Sequence, residues 1–284
     1  MLPKSIAIIG GGEAAPVLAA LVSLASVQVT LIDTREDFLR EAMRRVNQEL
    51  ERLLAAEFIH TEKKVDALDR ILTATTESAA AKADIVFELL PDNEQKKLAA
   101  WQQLDRVCSP NAIFCTDTLF TPLSNVASAV SNQARFVGVH FSRPVHASRL
   151  VEVARTAKTS SQAIDALKEF LWSLGKVPIV LNERPGLLSE RLFLVNLCEA
   201  CKLLEEGVAE AQGIDLAYRL SRGNVKGPLE SADLAGLDYC LEAIETLYKQ
   251  LGDEALRPPE ILVAKVRANA LGVKTGKGFF EYKG

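Results

Sequence analysis

A loop of three consecutive glycines, set between a short apolar run and the start of a helix, restricts this chain to very few folds. The segment Ser5-Ile-Ala-Ile-Ile-Gly-Gly-Gly-Glu-Ala-Ala-Pro16 passes from β-branched residues straight into Gly10, Gly11 and Gly12. A second apolar run, Gln28-Val-Thr-Leu-Ile-Asp33, ends on an acid, at the spacing of about 20 residues that a dinucleotide-binding strand–loop–helix unit requires. Gly10 suits the tight turn, and Gly12 lets backbone N–H groups approach a pyrophosphate. Ala15 keeps the helix close to the strand. Asp33 is placed to accept hydrogen bonds from a ribose 2′-hydroxyl, which selects NAD over its 2′-phosphorylated form. Glu13 breaks the pattern, because it puts a carboxylate where the pyrophosphate belongs. A helix N-terminus also favours a carboxylate for its own sake, so capping is the plainer reading of Glu13.

Beyond the loop, strands and helices alternate. Apolar runs at 5–10, 28–32, 84–88, 112–116, 135–140, 149–153 and 177–181 read as buried strands. Helical patterns fall at 13–24, 35–56, 61–70, 93–108 and 160–174, and the stretch 35–70 reads as a helical hairpin projecting from the sheet, broken around Glu57–Thr61. This order predicts an α/β fold: a Rossmann-type, doubly wound, mostly parallel sheet. After Arg184-Pro185-Gly186 only helices are read, at 188–206, 214–222, 228–251 in pieces and 258–270. The expected division is therefore an NAD-binding domain over 1–184 and an all-helical domain over 185–284.

Composition narrows the partners. A net charge of −4 with no basic stripe argues against nucleic acid. Arg40, Arg44, Arg45 and Arg52 are interleaved with Glu41, Glu49 and Glu51, the pattern of a solvated helix face. The apolar run 17–26 is too short to span a membrane, and the N-terminus lacks the layout of a signal peptide. Five cysteines without framework spacing suit a reducing cytoplasm. Cys198 and Cys201 form C-x-x-C inside an apolar helical pattern and read as buried helix residues, so no metal is expected.

The ordered motifs identify a resemblance. The glycine loop is followed by Val137-Gly-Val-His-Phe-Ser-Arg-Pro144, Leu150-Val-Glu-Val153, Arg184-Pro-Gly-Leu-Leu-Ser-Glu-Arg191 and Lys226-Gly-Pro-Leu-Glu230. Asp233, Gly236-Leu-Asp238 and the closing Lys274-Thr-Gly-Lys-Gly-Phe-Phe-Glu-Tyr282 complete the series. Over essentially its full length the chain resembles the short-chain L-3-hydroxyacyl-CoA dehydrogenases, including the 3-hydroxybutyryl-CoA enzymes. The resemblance implies hydride transfer between NAD and C3 of a 3-hydroxyacyl-CoA, as in fatty acid β-oxidation or butanoate metabolism. It implies His140 as the base and Glu152 as its orienting carboxylate, a pairing that suits proton removal from an alcohol. It places Asp92, Lys97 and Thr116 in the cofactor region, and a homodimer formed through the helical domain, which would also complete the substrate pocket.

Several positions depart from the family's pattern. Its Ser-Asn-Thr-Ser-Ser segment is here Thr116-Asp-Thr-Leu-Phe120, so a substrate-contacting serine becomes Leu119. Two pocket asparagines become Arg143 and Glu190, a glutamate of the cofactor region is shortened to Asp92, and positions that meet CoA in relatives carry Glu49 and Ala56. The charge changes at Arg143 and Glu190 suggest an ion pair between them. Two other functions follow from these departures: a catalytically impaired homologue acting as a subunit or ligand-binding protein, and a dehydrogenase for another 3-hydroxy acid.

Overall fold

The computed structural model describes residues 2–282. The chain divides into two compact units, residues 1–184 and 185–284. In the first, the elements run β1 (Ser5–Ile9), α1 (Ala14–Leu24), β2 (Gln28–Ile32), α2 (Glu36–Ala55), α3 (Thr61–Asp69), β3 (Ile71–Ala74), β4 (Ile85–Glu88), α4 (Glu94–Val107) and β5 (Ile113–Asp117). They continue with α5 (Leu123–Ala127), β6 (Phe136–Phe141), β7 (Leu150–Arg155), α6 (Ser161–Ser173) and β8 (Val177–Asn182). The second unit holds α7 (Ser189–Glu205), α8 (Ala211–Arg222), α9 (Pro228–Ala235), α10 (Leu237–Leu251) and α11 (Glu260–Arg267).

The eight strands form one sheet in the order β3-β2-β1-β4-β5-β6-β7-β8. All neighbours are parallel except β6 and β7, which are antiparallel. β1 lies between β2 and β4, so the chain leaves it in opposite directions on its two sides. The crevice at that switch point, beyond the carboxyl ends of the parallel strands, is where α/β sheets receive ligands.

Strand alternation sorts the core onto two faces. Phe87 of β4 meets Phe141 of β6 and Phe170 of α6, with ring centroids 6.0 and 6.3 Å apart. On the other face Trp101 of α4 packs on Phe114 and Phe136, at 4.7 and 5.0 Å. Helix starts are fixed locally. The Asn93 side chain accepts from the Lys96 N–H at 3.0 Å and caps α4. Ser160 does the same for α6 through the Ala163 N–H. Helices α2 and α3 form the expected hairpin. Leu39, Ala42, Val46 and Leu50 of α2 join the core, while Phe58 in the intervening turn is exposed.

Strand β3 is the element the sequence did not announce. It is four residues long at the sheet edge, and Leu72 and Thr73 within it are exposed. With neither alternation nor an apolar run, it gives periodicity nothing to detect.

The second unit packs its helices around α7, whose Leu194, Leu197, Cys198 and Cys201 are buried. Buried Asp233 accepts from the N–H groups of Phe279 and Phe280, each at 2.9 Å, and from the Tyr282 hydroxyl at 3.1 Å. That carboxylate ties the closing motif to α9. Among the described residues no helix is long and apolar enough to cross a membrane.

Candidate active site

The glycine loop has the geometry that a dinucleotide needs. Gly10 has φ +99°, and a Cβ there would meet the Leu89 carbonyl oxygen at 3.3 Å, so only glycine serves this turn. At Gly12 an added Cβ would meet nothing nearer than 3.9 Å, which leaves the backbone open to a ligand. Ala15 is fully buried against the sheet. Asp33 follows β2. Its carboxylate accepts from the Gly11 N–H at 2.9 Å and from the Arg35 N–H at 3.0 Å. A carboxylate has about four acceptor positions, so capacity remains for ribose hydroxyls.

Glu13 occupies the N-cap position of α1 but makes no side-chain cap hydrogen bond there. Instead its Oε2 lies 3.1 Å from Arg143 Nη1. The first turn of α1 carries no other acid, so the helix N-terminus keeps its affinity for an anion. The open face at Gly12, the uncapped helix start and the neutralised Glu13 together fit a pyrophosphate, and Asp33 fits the adjoining ribose.

Asp92 and Lys97 are bound into the framework beneath this region. Asp92 accepts from the backbone N–H groups of Leu119, Phe120 and Thr121 at 3.0, 2.7 and 3.3 Å, and from the Thr118 hydroxyl at 3.2 Å. Burial pushes its carboxyl up, but these donors outweigh burial and hold it below the usual range. Asp92 therefore organises the loop that carries Leu119. Lys97 is fully buried, with its Nζ 2.9 Å from Glu88 Oε1 and donating to the carbonyls of Leu90 and Asp117. Thr116, also buried, donates to Glu88. Desolvation raises the Glu88 carboxyl against the pull of Lys97. None of these contacts makes Glu88 visible in the sequence, since they depend on how α4 packs on β4.

His140 and Glu152 stand directly opposite each other across the antiparallel β6–β7 ladder. Side chains so paired lie on one face, with Cβ atoms about 4.5–5.5 Å apart. Glu152 is fully buried, and His140 is partly exposed near the carboxyl end of β6. The His140 Nδ1 lies 3.1 Å from Oδ1 of Asp117, the last residue of β5. Sequence reasoning missed Asp117, although it replaces the asparagine of the family's Ser-Asn-Thr-Ser-Ser segment. The segment between β6 and β7 is held by buried Lys176, whose Nζ donates to the carbonyls of Val145 and Ser148 at 2.5 and 2.7 Å.

Within its own unit each of Arg143 and Glu190 has a polar partner. Arg143 pairs with Glu13, and Glu190, in the first turn of α7, accepts from the Tyr239 hydroxyl at 3.0 Å. Leu119 is nearly buried, so its place offers no hydroxyl to a ligand. Glu49 is buried and paired with Arg52 at 2.7 Å, and Ala56 is an exposed residue at the end of α2. Cys198 and Cys201 are buried, and burial lifts the Cys198 thiol to about 11 and the Cys201 thiol further in the same direction. Among the described residues no cluster of His, Cys, Asp or Glu could hold a metal ion.

Comparison with known proteins covers the whole chain. The family model described as 3-hydroxyacyl-CoA dehydrogenase, NAD binding domain, matches residues 5–184, and that of the C-terminal domain matches residues 186–282. A 3-hydroxybutyryl-CoA dehydrogenase of Bradyrhizobium diazoefficiens is 35% identical over 281 residues, covering 99% of this chain and 96% of the relative. The mitochondrial hydroxyacyl-coenzyme A dehydrogenase of Rattus norvegicus is 32% identical, covering 100% of this chain and 92% of its own. The crystal structure of (S)-3-hydroxybutyryl-CoA dehydrogenase from Ralstonia eutropha superposes with a TM-score of 0.95 at 30% identity, covering 99% of this chain and 100% of the other.

Proposed function

The chain belongs to the 3-hydroxyacyl-CoA dehydrogenase family, and on that footing we propose that it transfers a hydride between NAD and the C3 hydroxyl or keto group of a 3-hydroxyacyl-CoA. The observation that carries the proposal is the His140–Glu152 register pair near the carboxyl end of β6. The chemistry that NAD supplies when bound is acceptance and return of a hydride at the substrate's C3. Gly10, Gly12 and the start of α1 would hold its pyrophosphate, and Asp33 a ribose. His140 takes the hydroxyl proton in oxidation and returns it in reduction, and Glu152 stabilises the imidazolium formed between those steps.

Leu119 and Arg143 then stand on the substrate side of the first unit in place of a hydroxyl and an amide. Loss of one hydroxyl contact costs about 0.5–1.5 kcal/mol, enough to slow turnover without abolishing it. The same substitutions support a second reading, a catalytically impaired homologue acting as a subunit or ligand-binding protein. They also leave room for another 3-hydroxy acid, with Arg143 receiving its carboxylate.

One assay decides among these. Purified protein is expected to oxidise NADH, followed by its absorbance, when given acetoacetyl-CoA. It should prefer NADH to NADPH, because Asp33 repels a 2′-phosphate. No turnover with any acyl-CoA, together with measurable NADH binding, would favour the ligand-binding homologue. Turnover confined to free 3-oxo acids would favour the third reading.

The place of action in this proposal is the cytoplasm, in fatty acid or butanoate metabolism, which five unpaired cysteines suit. The working form is a homodimer. Leu216 and Leu220 lie one turn apart on α8 and are 51% and 78% exposed, and Val225 just beyond is 84% exposed. Apolar groups so placed support a protein partner. Sedimentation should give twice the chain mass, and a monomer at micromolar concentration would refute the dimer.

A further inference from the structure

The histidine assigned to proton transfer has two carboxylates beside it. Glu152 stands opposite it across the β6–β7 ladder. Asp117 comes from the other neighbouring strand, β5, and its Oδ1 lies 3.1 Å from the ring Nδ1. Asp117 is well fixed. The buried Lys97 ammonium donates to its backbone carbonyl at 2.6 Å, and Lys97 is itself held by Glu88. On the following residue, the Thr118 hydroxyl donates to the Thr121 carbonyl at 2.7 Å and to Asp92 at 3.2 Å. A lattice of hydrogen bonds thus grips the backbone at Asp117 and at the residue after it.

We infer that Asp117 is a positioning residue for His140: its carboxylate accepts the Nδ1–H, fixes the ring, and leaves Nε2 as the atom that exchanges a proton with the substrate's C3 oxygen. The inference rests on the function proposed above. When a ketone is reduced, the new O–H bond forms as the His140 Nε2–H bond breaks. The imidazolium becomes neutral imidazole, which regains its proton from water. In oxidation the same proton moves the other way, so no further reactant enters.

The family's pattern has an asparagine where this chain has Asp117. An amide oxygen can also accept the Nδ1–H, so the difference between the two is one negative charge. Charged groups that this domain brings toward the ring include Asp117 from β5, Glu152 from β7 and, behind Asp117, the Lys97 ammonium of α4, which Glu88 counters. An added carboxylate at this range favours imidazolium. The proton-transfer group of this chain should therefore titrate at higher pH than it would with the amide.

The test is Asp117→Asn, read by NMR titration of the imidazole protons. The chain has three histidines, His60 and His146 are exposed, and His140→Gln assigns the third signal. In Asp117→Asn the His140 midpoint is expected to fall by about one pH unit or more, with His60 and His146 unmoved. The acid limb of alcohol oxidation and the alkaline limb of ketone reduction should fall with it. A midpoint that stays in place overturns the inference. Wild-type protein supplies a check that needs no variant to fold: nitrogen–proton correlations of neutral His140 should show the Nδ1–H tautomer, and the Nε2–H tautomer would overturn it too. If the wild type turns over no substrate while the midpoint still falls and the tautomer is Nδ1–H, the proposed reaction fails and the Asp117–His140 pairing stands.

Discussion

His140→Gln is expected to lower kcat by about 10²–10⁴-fold, the usual contribution of a positioned general acid–base group. Glutamine keeps a polar side chain of similar reach but cannot take up a proton. The imidazole is 15% exposed, so its replacement leaves no large cavity, and one lost hydrogen bond to Asp117 costs about 1 kcal/mol. The pairing of a large kinetic loss with a small shift in melting is what separates a chemical role from a structural one. Steady-state kinetics and thermal unfolding of the same preparation measure both. Activity within tenfold of wild type would move the base elsewhere.

Lys97→Met should produce the largest loss of stability. Lys97 and Glu88 are both fully buried and lie 2.9 Å apart. Removing the ammonium leaves the Glu88 carboxylate with the Thr116 hydroxyl and the Leu90 N–H as donors. Breaking such a pair from one side costs about 3–5 kcal/mol, a large part of the roughly 5–15 kcal/mol that keeps a domain folded. Methionine fits the space of the lysine stem, so the loss reflects charge more than packing. The denaturant midpoint should fall with the slope of the transition unchanged.

The pH dependence of that deficit has a definite sign. Burial already raises the Glu88 carboxyl in the folded chain, and loss of Lys97 removes an opposing pull. As pH falls toward the ordinary carboxylate range the folded variant takes up a proton before the unfolded chain does, so the variant gains stability relative to wild type. Adding Glu88→Leu to Lys97→Met removes the stranded charge and should recover most of the loss. A single-variant deficit below about 1 kcal/mol, within the range of surface ion pairs, would show that the pair does not hold the site together.

What the sequence made legible was local in origin. Seven strands end within about two residues of their expected bounds, because β-branched runs such as Ile6–Ile9 and Val151–Val153 are signals carried along the chain. The glycine loop, Asp33, His140 and Glu152 were visible as motifs for the same reason. The contacts that were not legible join distant parts of the chain. Glu13 meets Arg143 across 130 residues, and Asp117 meets His140 because β5 and β6 are parallel neighbours. The resemblance places Lys97 in the cofactor region, and the structure buries it completely. Complete burial of a lysine requires a partner, and that partner, Glu88, lies on a strand beneath it.

The reversal of β7 against β6 decides which parts of this protein can drift. Because His140 and Glu152 face each other on one antiparallel ladder, their spacing is set by main-chain hydrogen bonding. A one-residue slip would carry the whole inner face of β7 outward, so the ladder resists small adjustment. Leu119 and Arg143 sit on loops and Glu190 at a helix start, where side chains can be exchanged without touching that register. On the proposed assignment the fold separates the residues of proton transfer from those facing the ligand, and a chain of this design can acquire a new diet while its chemistry stays in place.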